Sequence, residues 1–244
     1  MSQSYFIWNG TDCRSKGIIM RGPASIIRPE ERVTHKEIPG RSGDMTALEG
    51  NNVFNSYIQT VTISVRGGYG VREAYKWLRG DGYVTFSGEP DRKQAARIIG
   101  AITLDRVSRN LDNWAGEVQF YCQPLKERIH TEPTETITES GSTIINGGDV
   151  ASEPLWQVRF GSSSNMGTLR VVGNGVDDTI ELEGFSAGGS YLIDSQVMEV
   201  TSTNRRTSYT KKSLGPFPRL APGENTITFE GLDRIIITKR ERFL

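Results

Sequence analysis

The chain has 244 residues, and its 29 Lys and Arg balance 29 Asp and Glu, so the formal charge is zero. That length suits one or two domains with sizeable cores. Neutrality argues against a general nucleic-acid binder, which needs clustered positive charge to displace counterions.

Glycine, at 27 residues, exceeds the usual share and points to many turns. The N-terminal run Met1 to Gly10 shows no basic stretch followed by an apolar one, so no signal peptide is expected. No apolar run nears the ~18 residues that cross a bilayer. The expectation is a soluble chain made in a cytoplasm.

Period-two alternation dominates the chain. Val61, Ile63 and Val65 face one way and Thr60, Thr62 and Ser64 the other, as in a half-buried antiparallel strand. Next, Val71, Ala74, Tyr75 and Leu78 fall at i, i+3, i+4 and i+7. This spacing predicts one short helix over 70–80, with Gly80 as its left-handed cap. The stretch 91–99 reads as a strand because its β-branched run continues past Gly100 into Ile102 and Thr103. In 117–122, Cys122 shares the alternating face of Val118 and Phe120, which predicts a buried, unreactive thiol. Cys13 and Cys122 are the two cysteines, too few for a disulfide scaffold or a four-cysteine zinc site.

From Gln123 to Ser140 the chain turns polar, with Pro124, Pro133 and little periodicity. That reads as an extended connection. Residues 1–126 hold 17 Lys/Arg and 13 Asp/Glu, a balance of +4, whereas 127–244 hold 12 and 16, a balance of −4. The asymmetry suggests two domains with complementary surfaces: 1–126, a polar connection at 127–140, and 141–244. In the last, Trp156, Val158 and Phe160, then Ile180 and Leu182, then Ile227 and Phe229 alternate with polar residues. They predict an all-β sandwich of roughly eight strands. Ala221-Pro222-Gly223-Glu224 has the residues of a type II turn leading into a strand.

Motifs with chemical meaning are sparse. Gly184-Phe185-Ser186-Ala187-Gly188 matches a nucleophile elbow, but no helix pattern follows it and both histidines, His35 and His130, precede it. A small-residue turn is the simpler reading. Arg79-Gly80-Asp81 falls where a helix end wants a glycine. Asn9-Gly10-Thr11 is a glycosylation sequon that would need secretion to be used. Asp177, Asp178 and Asp194 lack EF-hand spacing. Two separated histidines and two separated cysteines give no local metal cluster. Phosphate-loop and dinucleotide fingerprints are missing, so the sequence predicts no enzyme, no cofactor and no metal. Trp8, Trp77, Trp114 and Trp156 could form a sugar-stacking platform, although Trp77 and Trp156 fit core positions.

The order of motifs resembles the distal tail proteins of siphovirus-type bacteriophages, the siphovirus tail component family. It begins with Phe6-Ile7-Trp8-Asn9-Gly10-Thr11-Asp12 and Gly17-Ile18-Ile19. It runs through Ile38-Pro39-Gly40-Arg41-Ser42-Gly43-Asp44, Gly82 to Ser87 and Val118 to Pro124. It continues with Ile145 to Asp149, Ser152 to Leu155, Tyr191 to Ser195 and Phe217 to Asn225.

The resemblance implies a mainly β chain with one short helix in the first domain. An N-terminal tail-tube-like β domain would form the ring and a galectin-like β-sandwich would lie outside it. It also implies structural work in the virion, at the far end of the tail, in a ring of commonly six copies. The implied partners are the tail tube protein, a tail-tip protein and a receptor-binding protein, without specific nucleic acid or a membrane anchor. The alternative from the residues is a monomeric carbohydrate-binding module for host surface sugars.

One segment is singled out for contacts between copies. Residues 28–50 carry many charges of both signs and few apolar side chains, and long loops of this kind tend to be functional. Arg28, Arg32, Pro39, Gly40, Arg41 and Asp44 are the candidate interface residues. Pro39 and Gly40 would bend the segment and let Arg41 pair with a neighbour's carboxylate.

Overall fold

A computed structural model of the chain describes residues 4–48, 53–107, 111–130 and 133–244. The contacts within it divide into two units, Met1–Ile129 with Leu244, and His130–Phe243.

The first unit is built on an antiparallel sheet. Its strands are β1 (Phe6–Trp8), β2 (Thr11–Asp12), β3 (Ile18–Met20), β6 (Tyr57–Arg66), β7 (Asp81–Phe86), β8 (Arg92–Ile99), β9 (Leu104–Arg106) and β10 (Asn113–Arg128). A separate ribbon comprises β4 (Val33–Lys36) and β5 (Met45–Leu48). The order across the sheet is β2-β1-β7-β8-β10-β6-β3, with β9 also on β10. The alternation read from 60–65 holds as far as Ile63: Val61, Ile63 and Val65 are buried with Val118, Phe120 and Cys122 of β10, but Ser64, expected on the wet face, is buried too. Phe120 collects Phe6, Trp8 and Phe86 around it at ring separations of 5.5–5.8 Å.

The helix α1 (Gly67–Trp77) closes this core. It ends three residues before Gly80. Ala74 and Leu78 are buried as expected, but Tyr75 lies 41% exposed. The apolar stripe is therefore narrower than the spacing suggested, and Trp77 supplies the rest by stacking on Phe6 at 5.8 Å. The strand read from 91–99 stops at Gly100, whose φ of +72° turns the chain out of the sheet. Near Pro124 the β10–β8 register shifts between Cys122 and Lys126. Proline cannot donate to the ladder, so it is tolerated at such an irregularity. Gln94 bridges the gap by donating to the Gln123 carbonyl.

The described residues of 127–140 carry more ladder pairing than the extended polar connection expected of them. Glu127 and Arg128 extend β10, and β11 (Thr134–Ile137) already belongs to the second unit, pairing with β20 (Leu232–Thr238). Threonines and an inward Ile137 make this segment an edge strand, wet on one side.

The second unit is a two-sheet sandwich. One sheet runs β11-β20-β13-β16-β17, where β13 is Leu155–Phe160, β16 Ser190–Asp194 and β17 Glu199–Ser202. The other runs β12-β19-β14-β15-β18, where β12 is Ser142–Asn146, β14 Met166–Gly173, β15 Val176–Glu183, β18 Ser213–Leu214 and β19 Gly223–Glu230. Among the described residues, ten strands replace the roughly eight expected, because the short edge strands lack a readable alternation. Trp156, Val158, Ile193, Ile235 and Ile237 from one sheet meet Leu169, Val171, Ile180, Leu182 and Ile227 from the other. Gly223 has the positive φ, +83°, that the predicted turn requires. Asn225 locks that turn by accepting from the Ala221 amide and donating to the Ala221 carbonyl, each at 2.8 Å.

At the end of β16, Asp194 takes a bidentate contact from Arg240, with Nη2 2.9 Å from Oδ2. The guanidinium holds this carboxyl below the usual carboxylate range despite burial. A depressed folded-state value gives stability that is present above the unfolded carboxylate's value near ~4 and is lost as pH falls through the folded value. Asp194→Asn is expected to cost about 2–3 kcal/mol at neutral pH, since Arg240 keeps some solvent when its partner goes. It should also shrink the loss of stability between neutral and acid. Urea titrations at pH 7 and pH 3 measure both, and an unchanged pH slope would contradict the assignment.

Candidate subunit interface

Arg28 to Leu48 leave the first unit as an arm rather than a structureless loop. Its root is a short ladder. Arg32 donates its amide to the Val53 carbonyl and Asn55 to the Glu30 carbonyl, both at 2.8 Å, and Glu31 bridges Phe54. Beyond the root, β4 and β5 pair antiparallel, Val33 opposite Leu48 and Lys36 opposite Met45. Pro39 and Gly40 make the bend that the sequence suggested. The Arg41 amide closes a turn on the Ile38 carbonyl at 3.1 Å, with Gly40 at φ +81°.

Every described side chain from Thr34 to Leu48 is exposed, Met45 and Leu48 to more than half. A two-stranded ribbon that is wet on both faces is marginal by itself, so its apolar side chains gain burial by meeting another surface.

The candidate residues are spread along this arm. At its base, Arg28 pairs loosely with Glu31 at 3.7 Å, and Arg32 donates to Asn55 Oδ1 at 3.1 Å. Pro39, Gly40 and Arg41 form the turn at the bend, and Asp44 precedes β5. The structure does not gather them into one patch. Glu49, counted with the same charged segment, lies outside the described residues. Sequence reading missed the strand character of Val33 to Lys36 and Met45 to Leu48. The available signal was Pro-Gly and a further Gly between two Thr-containing segments, a hairpin pattern.

The remaining motifs have structural partners. Ser186 is exposed in the turn between β15 and β16, where its amide donates to the Tyr191 hydroxyl at 3.2 Å. Gly80 has φ +79° and Asp81 lies 3.6 Å from Arg97. Asn9 accepts from the Tyr83 amide at 2.9 Å. Asp177 pairs with Arg170, and Asp178 with Arg219. Among the described residues, no group of three His, Cys, Asp or Glu is placed to hold a metal. Trp8 and Trp156 are buried, and Trp77 and Trp114 half-buried, so no flat tryptophan platform faces solvent. Cys13 and Cys122 are free and buried, and burial pushes the Cys122 thiol up to about 12.

No helix of the described residues is long and apolar enough to cross a membrane. No family model and no curated protein matches the chain. Among solved structures, it is similar to the Dit protein of phage SPP1, described as a paradigm of the hub adsorption apparatus in phages that infect Gram-positive bacteria. The TM-score is 0.78 at 17% identity, covering 100% of both chains. A chain of the phage P2 baseplate in its activated, calcium-bound form superposes more loosely, with TM-score 0.46 at 9% identity over 99% of each chain. From one end to the other, the chain has the fold of the SPP1 Dit protein, a protein of the kind that its motifs resemble.

Proposed function

We propose that this chain is a non-enzymatic hub of a phage tail, forming a ring, commonly of six copies, at the distal end of the tail tube. The ring joins the tube to the tail-tip protein and to receptor-binding proteins. The observation that carries this reading is the β4–β5 arm, exposed on both faces, on a body with the Dit fold over its full length. Head-to-tail contacts, in which the arm of one copy seats on the next, close into a ring when the rotation permits. Arg41 at the bend and Asp44 beside it would then meet charges of the neighbour.

The experiment replaces residues 33–48 by a short Gly-Ser link that leaves the Arg32–Asn55 root in place. The intact chain is expected to give rings by negative-stain electron microscopy and a multimer by light scattering. The shortened chain should be a monomer. Its melting should change little, because the arm buries almost nothing in its own unit. Rings that survive the replacement would remove the arm from the interface. A monomeric intact chain that binds glycans would favour the sugar-binding alternative.

A further inference from the structure

The sandwich has two outer faces, and they carry opposite charge at the same end. On the β13–β20 pair, Arg159 sits directly opposite Arg234. Both point away from the core, both are exposed, and neither forms an ion pair or a side-chain hydrogen bond among the described residues. Like charges directly opposite in a sheet are unfavourable. Asp233, the bulged residue beside them, is turned towards Gly161: a Cβ there would lie 3.2 Å from Asp233 Oδ1. Ile236 and Leu192 flank the two arginines on the same face, half-buried.

The opposite face is acidic. Glu230, Thr168 and Glu181 form one row across β19, β14 and β15, and Glu183 lies beside Met166 in the next row. They line an open groove of about 400 Å³. All three carboxylates are exposed and unpaired among the described residues. Arg170 on that face is committed to Asp177 at 2.8 and 2.9 Å, and Lys212, next to Glu183 along the β18 edge, donates to the Gly184 carbonyl. Met166 and Leu214, 53% and 69% exposed, supply apolar flanks.

Both patches surround the corner where the chain passes from one sheet to the other. The Gly161 amide after β13 donates to the Gly231 carbonyl at 3.0 Å, and Gly231 abuts the Met166 carbonyl at the start of β14. The basic and acidic patches therefore lie at the same height along the strands, on opposite sides of the sandwich. Stacking one sandwich beside the next, outer face to outer face, sets them against each other without a shift along the strands.

We infer that the second units of neighbouring copies contact each other head to tail, Arg159 and Arg234 of one copy entering the Glu181–Glu183–Glu230 groove of the next. This inference rests on the ring reading above and assigns it a second contact, made by other residues than the arm's and too weak to hold the ring without it. An acidic surface with unpaired arginines opposite gains most from a partner of complementary charge, and the chain carries both halves. The apolar flanks add area towards the ~1,000 Å² that a stable contact needs.

The test uses the full-length chain. Arg159→Cys and Glu230→Cys are introduced singly and together, and a short bismaleimide is added. Cys13 and Cys122 are buried and leave no competing thiol. The two positions face opposite sides of a sandwich about 10 Å thick between sheets, so the link cannot close within one chain. The double variant is expected to give a ladder beyond dimers, and each single variant none.

In parallel, Arg159→Glu with Arg234→Glu should lower the multimer fraction about tenfold. Glu181→Arg with Glu230→Arg should do the same. The fourfold variant, with both faces reversed, should recover to within about threefold of the intact chain. Rings that persist without a ladder, or charge reversal without recovery, overturn the inference and leave the ring intact. A ladder that stops at dimers overturns the head-to-tail geometry. An intact chain with neither multimer nor ladder overturns both readings, and binding of the arginine face to an acidic partner protein instead would replace this one.

Discussion

Trp156→Ala is expected to melt the second unit roughly 10–25 °C below its normal transition while the first unit melts where it did before. Trp156 is fully buried between the two sheets, and its indole Nε1–H donates to Ser195 Oγ at 3.1 Å and to the Pro218 carbonyl at 3.3 Å. Truncating such a side chain costs about 3–5 kcal/mol, from lost transfer energy and from the cavity left behind. The neighbours that would have to fill that cavity are strand residues fixed by ladders on both sides, so little collapse is available. In a unit of this size each kcal/mol moves the midpoint by several degrees. Calorimetry separates the two transitions. A shift of only a few degrees would mean that the sandwich closes over the gap.

Gly116→Val should destabilise the first unit by about 3 kcal/mol. Gly116 lies within β10, paired with Ile63 on one side and Leu104 on the other. A Cβ there would stand 1.8 Å from the Thr103 carbonyl oxygen and 3.1 Å from Leu104 Cδ2. The obstacle is backbone, so no rotamer change relieves it, and overpacking of this kind forces the strands apart. Loss of the β9 pairing is the expected structural consequence, visible as faster amide exchange at Leu104 to Arg106. Gly68→Ala is the matched control, because nothing lies within 4 Å of a Cβ at that helical position. It should be neutral or slightly stabilising through helix propensity. Equal chemical-denaturation midpoints for the two variants would contradict this account.

The long strands were legible because burial on one face imposes a period of two that survives in the residues: 60–65, 117–122, 156–160 and 225–230 all carry it. The helix was legible too, though its end was not. Gly80 has the left-handed geometry expected of a cap, but the helix unwinds at Leu78, before that glycine is reached. The short edge strands were hidden because one-sided ladders of two to four residues impose no pattern. The arm was found as a charged segment and missed as a ribbon, since strands that bury neither face show no alternation. The sandwich patches escaped for another reason. Arg159 and Arg234 are far apart in the chain, and so are Glu181 and Glu230, and strand register alone brings each pair together.

The exposure of the arm also separates two demands that most of a protein's residues must meet together. A substitution at Lys36, Glu37 or Met45 leaves the core of its own unit untouched, because nothing there packs against it. Folding therefore places almost no constraint on these positions, and in the proposed ring the constraint on them would come from the surface they meet. Such a segment is free to drift with its counterpart, one compensating change at a time, while the body beneath it stays the same. Two closely related chains could then differ in which copies they accept without differing in how stably they fold.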